Sequence, residues 1–437
     1  MKPKASTGVL ALTLLAALAI PARLAAQKER EHAIEHHHYT VTDLGTLGGT
    51  FSTAQGISEE GKVAGWSLLP GDQTQHSFLW VEGSMIDLGT LGGPNGGGDQ
   101  GGHFRPNKKG QISGFGQTAV LDPEGFACAF PGPPFICLAF IWQNGFKTRL
   151  PTLGGYVSFA TDINDRGEAM GGAQNTTLDS TCPVAYQQSK PVVWKRGKIQ
   201  ELPTVSGDPD GQAFAINDEG QVVGISGDCL GPVTHALIWQ HGTVTDLGNL
   251  GGANGFNAAF GINNSGQVVG RSDLPGDTSF HAFLWQDGVM TDLGILPGYF
   301  SSELQSINDH GEMVGQSCNQ DFSTCTAILL QDGAMVDLNT LVRAGSDMYL
   351  IEGLDINSSG QIAGLAFQQR SGELHAFLAT PCDREEVGEC GHNSEGDGAA
   401  RDDAGKRLHI TLPESARTLL QKRANVQHHI PEELLVK

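Results

Sequence analysis

Residues 216–224 read Ile-Asn-Asp-Glu-Gly-Gln-Val-Val-Gly, and residues 262–270 repeat the phrase as Ile-Asn-Asn-Ser-Gly-Gln-Val-Val-Gly. Two glycines four positions apart mark seven copies of this phrase, which lie 45 to 57 residues apart: Gly61/Gly65, Gly110/Gly114, Gly167/Gly171, Gly220/Gly224, Gly266/Gly270, Gly311/Gly315 and Gly360/Gly364. A repeat with this period is typical of a propeller or a solenoid that is built from one supersecondary unit.

One copy of the repeat, residues 213–252, reads as four short strands. Residues 213–216 and 221–226 predict two strands joined by a turn in which Gly220 takes positive φ. An apolar third strand follows at 235–239, and His241-Gly242 predicts a tight turn into a fourth strand at 243–247. Four antiparallel strands in about 50 residues are typical of a propeller blade.

The two ends of the repeat array complement each other. The last copy has a third strand at 375–379 but no fourth, whereas residues 39–44 form an isolated fourth strand before the first copy. We therefore predict an all-β, seven-bladed β-propeller over 39–381, with four-stranded antiparallel blades and a ring closed by the N-terminal strand. In blade 2, Arg105-Pro106 replaces the small residue and the isoleucine, and we expect an innermost strand there that tolerates proline at its free edge.

The termini differ in composition from the repeats. Lys2 and Lys4, an apolar run over 8–20 and small residues up to Ala26 predict a signal peptide at 1–26, followed by a His-rich linker at 27–38. Residues 382–437 read as an acidic disordered tail in which 413–424 form a short helix or remain frayed. The protein is thus expected outside the cytoplasm, secreted or periplasmic, with a cell-surface location as an alternative.

The charge balance limits the classes of partner. The formal net charge is −21, which disfavours nucleic acid and anionic membrane surfaces. No Gly-x-Ser-x-Gly or His-Glu-x-x-His phrase occurs in the sequence. We predict no catalytic residues, no metal and no cofactor, and a monomer that contacts an extracellular protein or glycan.

Eight cysteines in an exported chain favour disulfides over a metal site, because they are scattered and form no Cys-x-x-Cys pair. Their spacing predicts the pairs Cys128–Cys137, Cys182–Cys229, Cys318–Cys325 and Cys382–Cys390.

Repeated polar residues are expected to have structural roles, because equivalent positions of different blades lie far apart around a ring. The histidines in question are His76, His235, His281 and His375, which we expect to hydrogen-bond a neighbouring loop. The aspartates are Asp43, Asp87, Asp246, Asp292 and Asp337, which precede turns and are expected to accept backbone N–H bonds there.

Aromatic residues that do not repeat are the candidates for ligand contact, since function usually lies on loops that a scaffold positions. The long loops and the blade connections carry Phe126, Phe130, Tyr156, Tyr186, Phe256, Tyr299, Phe300 and Tyr349. Such rings could bind a glycan or a peptide, or they could merely cover the ends of the blades.

The chain resembles the HAF-repeat family of extracellular repeat proteins, which is named for a His-Ala-Phe tripeptide. The tripeptide stands at 281–283 and 375–377, with variants at 76–78 and 235–237, and Asp-Leu-Gly-x-Leu-Gly-Gly is matched at 43–49, 87–93 and 246–252. This resemblance covers nearly all of 39–381. It implies an exported repeat protein and brings no catalytic residues with it.

Two functions remain open from the sequence. The preferred one is a non-enzymatic, exported scaffold that binds a protein partner or carbohydrate through one loop face. The alternative is an extracytoplasmic hydrolase or lyase with its site at the mouth of the propeller channel. Its candidate residues are the unrepeated charged groups Arg105, Asp162, Glu303, Glu352 and Asp355.

Overall fold

The computed structural model describes residues 38–98, 101–125, 133–182, 185–205, 207–229, 233–252, 255–382, 410–414, 416–418 and 421. Its strands form seven antiparallel sheets arranged as the blades of a β-propeller, which is the predicted fold class. The expected signal peptide and all of the expected linker except His38 lie outside the described residues.

Strand β1 (Tyr39–Asp43) precedes the blades, and each blade is numbered by its place in the sequence. Blade 1 contains β2 (Ser52–Ile57), β3 (Val63–Leu68), β4 (Gln75–Val81) and β5 (Ser84–Gly89). Blade 2 contains β6 (Gln111–Leu121), β7 (Phe135–Gln143) and β8 (Phe146–Arg149). Blade 3 contains β9 (Ser158–Ile163), β10 (Ala169–Leu178), β11 (Gln187–Lys195) and β12 (Lys198–Glu201).

The remaining blades follow the same order. Blade 4 contains β13 (Asp210–Ile216), β14 (Val222–Gly227), β15 (Thr234–Gln240) and β16 (Thr243–Asp246). Blade 5 contains β17 (Asn257–Ile262), β18 (Val268–Asp273), β19 (Phe280–Gln286) and β20 (Val289–Asp292). Blade 6 contains β21 (Ser301–Ile307), β22 (Met313–Cys318), β23 (Cys325–Gln331) and β24 (Ala334–Asp337), followed by a short 3-10 helix (Leu338–Thr340). Blade 7 contains β25 (Met348–Ile356), β26 (Ile362–Gln368) and β27 (Glu373–Pro381).

Glycine is required at the two positions of the repeat for different structural reasons. The first lies in the turn between the first two strands of a blade with positive φ, as Gly220 does at 78°. The second faces a β-bulge in the first strand. A Cβ on Gly224 would overlap the carbonyl oxygen of Gln212, so this position tolerates no larger side chain. One glycine thus permits the turn and the other permits close approach of the two strands.

An asparagine in the same turn joins each blade to the next. The Asn217 side chain donates from Nδ2 to the Asn263 carbonyl oxygen of blade 5 at 2.9 Å, while its Oδ1 accepts the Gln221 backbone N–H. The same bridge to the next blade is made by Asn107, Asn164, Asn263, Asn308 and Asn357. Because Ser58 replaces asparagine in blade 1, six bridges of this kind connect the described turns.

The hydrophobic core is divided into layers between neighbouring blades. One layer packs Val223, Ile238 and Leu247 of blade 4 against Ala259 and Phe283 of blade 5. Equivalent layers separate the other pairs of adjacent blades, including blade 7 from blade 1. The fourth-strand leucines lie in these layers, which explains why every copy of the repeat carries one.

Strand β1 lies beside β27 in the sheet of blade 7, with Tyr39 opposite Pro381 and Asp43 opposite Phe377. Blade 7 also contacts blade 1 directly, because the Ser52 hydroxyl accepts the Ala376 backbone N–H at 2.8 Å. The strands of this array run from Tyr39 to Pro381.

Blade 2 differs from the prediction. Its sheet has three strands, and the segment that contains Arg105-Pro106 is not part of it. Pro106 has no N–H to donate to a ladder, and Phe104 has a φ of 47°, which a regular strand does not allow. The prediction of an innermost strand in blade 2 was therefore wrong, and residues 101–106 lie outside the strands of the propeller.

Candidate functional site

The axial segment, which we define as residues 101–106, lies in the centre of the propeller. The Phe104 backbone N–H donates to the Thr161 carbonyl oxygen of blade 3 at 2.9 Å. The His103 ring places Nε2 3.0 Å from the Phe260 carbonyl oxygen of blade 5. A Cβ on Gly56 of blade 1 would overlap the His103 carbonyl, so that glycine permits the close approach. Contacts to three separate blades show that the segment crosses the axial channel.

Arg105 binds Asp355 of blade 7 through two hydrogen bonds. Its Nε lies 2.9 Å from Asp355 Oδ2 and its Nη2 lies 2.7 Å from Oδ1. The Asp355 side chain is fully buried. The Ser306 hydroxyl donates to Oδ1 at 2.7 Å, and the Ile57 backbone N–H donates to Oδ2 at 2.9 Å. Each carboxylate oxygen thus accepts two hydrogen bonds, which is the number that its two lone pairs can accept.

Asp162 lies on the other side of Arg105 and is bound mainly by backbone. Its two oxygens accept the N–H groups of Ile163 at 2.9 Å and of Ile216 at 3.2 Å. Burial raises the pKa of Asp162 above its ordinary value, although the charges of Arg105 and His103 and the two backbone hydrogen bonds oppose this effect. Of the five charged candidates, the structure thus brings Arg105, Asp162 and Asp355 together.

The turn face is the side of the propeller that carries the Asn-containing turns. There the channel opens into a cavity of about 270 Å³, with Arg105 among its lining residues. Five carboxylates stand at its rim: Glu59, Glu60, Asp165, Asp218 and Asp309. Asp165 and Asp218 each accept the backbone N–H of the equivalent residue one blade earlier, both at 2.9 Å. These rim carboxylates therefore join adjacent turns, and their charge disfavours an anionic ligand.

The other two charged candidates are held by partners of their own. Glu303 pairs with Arg271 at 3.1 Å, and both side chains are buried. The Arg271 guanidinium also lies 4.4 Å from the ring centroids of Phe256 and of Phe280. Gln305 Nε2 lies 3.1 Å from Glu303 Oε1 and 3.5 Å from Glu352 Oε1. Arg271 and Phe280 were absent from the sequence-based candidates. The charge of Arg271 was a signal that could have found it, because other copies carry Trp66, Ile225 or Leu365 at the same place in the repeat.

Two of the predicted disulfides are present, Cys182–Cys229 between blades 3 and 4 and Cys318–Cys325 within blade 6. Cys137 and Cys382 are also disulfide-bonded, and their predicted partners Cys128 and Cys390 lie outside the described residues.

Asp179 and Asp210 lie beside the Cys182–Cys229 disulfide. One ligand atom from each of these four residues falls within 4.8 Å of the others, so the group has the dimensions of a metal site. The two sulfurs are bonded to each other, however, which leaves two carboxylates as ligands. Burial and the neighbouring Asp179 carboxyl raise the pKa of Asp210 to about 8.

The aromatic candidates for ligand contact are placed in different environments. Tyr186, Tyr299 and Tyr349 are buried, so their rings contribute to packing. Tyr156 is 39% exposed, while Phe256 and Phe300 are half-buried. Phe126 and Phe130 lie outside the described residues.

The repeated histidines and aspartates pair with each other on the outer strands. His76, His235, His281 and His375 each place Nδ1 2.8–2.9 Å from the carboxylate of Asp87, Asp246, Asp292 and Asp43, respectively. The same aspartates accept the N–H of the glycine two residues later. In blade 6, the Thr326 hydroxyl replaces histidine and donates to Asp337 at 2.6 Å. The predicted structural roles are confirmed, although the histidine partner is an aspartate of the adjacent strand.

Long hairpins distinguish blades 2 and 3 on the loop face, the side that carries the connections between blades. Strands β6 and β10 extend over 11 and 10 residues, and the Gln174 amide of one hairpin donates to Glu124 of the other at 2.9 Å. Val120, Leu121 and Leu178 on these hairpins are 59–61% exposed. The sequence analysis missed these aliphatic residues, and the unusual length of the two loops was the signal that could have found them.

The chain is similar to solved structures of low sequence identity. No family model matches the chain, and no match is found among curated proteins. Among similar solved structures is the β-propeller domain of the Trilobed protease from Pyrococcus furiosus, at 15% identity and a TM-score of 0.43, covering 66% of this chain and 81% of that one. An oligogalacturonate lyase in complex with manganese has 12% identity and a TM-score of 0.47, with coverages of 78% and 93%.

An acylaminoacyl peptidase from Pyrococcus horikoshii is similar at 11% identity and a TM-score of 0.41. That match covers 74% of this chain and 50% of the peptidase, so this chain spans about half of the peptidase's length. In the part of this chain that the structure describes, no helix has the length and hydropathy of a membrane span.

Proposed function

We propose that this protein is an exported, non-enzymatic HAF-repeat propeller that binds a protein partner through its loop face. The observation that carries the proposal is the paired hairpins of blades 2 and 3, which expose Val120, Leu121 and Leu178 on one side of the molecule. Exposed apolar side chains that cluster on loops are typical of interaction sites. Because they are aliphatic, they suit a protein partner better than a glycan, which favours exposed aromatic rings.

Two further features support this function over a hydrolase or lyase. Asp355 has all its lone pairs in use, and Asp162 accepts a backbone hydrogen bond on each oxygen. The axial segment lies across the channel, so these carboxylates serve to hold it. The disulfides support export, because such bonds persist in oxidising compartments.

Site-specific photo-crosslinking in the producing cells tests the proposal. A benzophenone amino acid placed at Leu121 should give a discrete adduct with one protein, and Leu178→Ser in the same chain should weaken that adduct severalfold. The matched control carries the benzophenone at Phe146, which is the first residue of β8 and is 79% exposed.

Equal adducts at both positions, or none at Leu121, would contradict a partner site on the hairpins. Saturable binding on a glycan array without a protein adduct would instead point to carbohydrate. Turnover in a broad hydrolase panel would favour the enzymatic alternative, provided that it was lost in an Asp355→Asn variant that remains folded.

A further inference from the structure

A short part of the C-terminal tail packs against the propeller. Residues 414, 416–418 and 421 are helical, and the side chains of Leu412 and Ala416 are 2% and 0% exposed. Leu412 precedes the helical residues and Ala416 lies among them, and both pack in one apolar cluster with propeller residues. The helical residues fall within 413–424, where a short helix was one of the two expected alternatives. We call residues 410–414, 416–418 and 421 the tail segment.

The surface that receives the tail segment is an apolar groove on the loop face of blade 7. Its floor contains Tyr349, Ile351, Leu365 and Leu374, and the Cys318–Cys325 disulfide of blade 6 lies beside them. Phe51 of blade 1, Phe322 and Phe367 complete the groove, and Ile410 of the tail packs against it. We call this surface the blade-7 groove. Without the tail segment, its apolar side chains would face water.

Polar contacts fix the direction of the tail segment in the groove. The Leu412 backbone N–H donates to the Ser323 carbonyl oxygen at 2.9 Å. The Gln421 amide donates to the Asp321 carbonyl oxygen at 3.0 Å, and the Arg417 guanidinium lies 3.7 Å from the Asp321 carboxylate. The loop over residues 321–323 of blade 6 therefore contacts the segment along its length.

The connection to the propeller permits exchange. Residues 383–409 separate Cys382 from Ile410, and 27 residues can span at most roughly 90 Å. Tethering gives the tail segment a high effective concentration at the groove, on the order of millimolar, without preventing its release.

We propose that the blade-7 groove is a peptide-binding site that the tail segment occupies as an intramolecular ligand. The external ligand that it fits is a short amphipathic segment with aliphatic residues at positions i and i+4 and an arginine next to the second of them. The tail segment keeps this site closed until a stronger competitor displaces it. The groove lies on blades 6, 7 and 1, so this inference does not depend on the hairpins of blades 2 and 3.

The test uses the full chain and a labelled peptide of residues 408–424. Leu412→Asp/Ala416→Asp should release the tail segment while leaving the groove unchanged. Fluorescence anisotropy should then show saturable peptide binding, at least tenfold tighter than to the wild-type chain, in which the tail segment competes. Glu414→Gln is the matched control, because Glu414 is 82% exposed and its loss leaves the tail segment in place.

Two results would overturn the proposal. Equal peptide affinity for the wild-type and released chains would show that the tail segment does not close the groove. No binding to a released chain with unchanged circular dichroism would show that the groove is not a peptide site. A peptide carrying the same two aspartates should fail to bind either chain, and binding by it would also contradict the stated chemistry.

Discussion

At the scale of single residues, the buried carboxyl group of Asp210 makes the free energy of unfolding depend on pH. Burial and the Asp179 carboxyl raise the pKa of Asp210 to about 8, whereas in the unfolded chain its pKa is about 3.9. Between these values the folded state binds more protons than the unfolded state, so the free energy of unfolding falls as pH rises. The contribution of Asp210 is fully present below about pH 4 and is lost as pH passes 8.

We therefore expect Asp210→Asn to flatten the dependence of the unfolding midpoint on pH between 5 and 9. The midpoint of the variant, relative to the wild type, should rise with pH, because asparagine keeps the bond from the Ser189 N–H and carries no charge. Thermal unfolding at five or six pH values measures this difference. Asp165→Asn is the matched control. Burial opposes the shift, but the hydrogen bonds and charge of Lys108 outweigh it and lower the pKa of Asp165, so its contribution to stability is lost only below about pH 4 and the difference from the wild type should stay constant between about pH 5 and 9. A constant difference for Asp210→Asn would contradict the raised pKa of Asp210.

At the scale of strands and hairpins, the repeated sequence predicts those features of the fold that depend only on residues close together in the chain. The turn glycine and the second glycine of a copy each have one backbone requirement, so six first-to-second-strand hairpins follow from them. Arg105-Pro106 likewise signals that blade 2 departs from the pattern. Where the axial segment goes depends on the space between the six first strands and on Asp355, which is 250 positions from Arg105 in the sequence. Periodicity carries no information about such a contact.

The same limit applies to the tail segment and to the aromatic candidates. Leu412 and Ala416 form an i,i+4 pair, but the groove that covers them is built from three blades and can be recognised only after folding. Tyr186 and Tyr349 lie in or beside loops in the sequence, yet neighbouring blades bury both. Burial is a property of the assembled ring, so loop position alone does not distinguish a binding residue from a packing one.

The His375–Asp43 pair joins β27 to β1, two strands that are far apart in the sequence. Burial lowers the pKa of His375, but the bonds and charges of Asp43 and Glu373 outweigh it and raise that pKa overall. Burial alone would raise the pKa of Asp43. The hydrogen bonds from His375 and Gly45 and the charge of His375 outweigh burial, so the pKa of Asp43 is lowered overall. The histidine contribution is present below about pH 6.5 and lost as pH rises further, and the aspartate contribution is present above about pH 4 and lost below it.

We expect His375→Ala to lower stability by about 0.5–1 kcal/mol near pH 5–6, because the partly exposed pair is screened by solvent, and by less above pH 8. His281→Ala is the matched control, since His281 and Asp292 lie on strands that a two-residue turn already joins. Hydrogen exchange of β1 amides should rise in the first variant and stay unchanged in the second. Equal exchange in both variants would show that the pair does not hold β1 in place.

At the scale of the whole molecule, the split blade makes a prediction about chain order. In blade 5, Gln286 and Val289 are paired across Asp287-Gly288, both of which have positive φ, as a type I′ turn requires. In blade 7 the equivalent pair is Thr380 and Thr40, because Phe377 lies opposite Asp43 as Phe283 lies opposite Asp292. An Asp-Gly link from Thr380 to Thr40 would therefore turn blade 7 into an ordinary four-stranded meander.

We expect a permuted chain with that link, opened between Gly48 and Gly49, to fold and to resist urea better than the unpermuted chain of residues 39–381. The reason is that β1 then pairs across a two-residue turn, which greatly reduces the entropy of closing the loop. Equilibrium unfolding in urea, with hydrogen exchange of β1, measures the gain. The cut at Gly48 breaks no hairpin, so it should cost little by itself. A permuted chain that unfolds at lower urea, or leaves β1 amides unprotected, would show that β1 does not seal the seventh blade in solution.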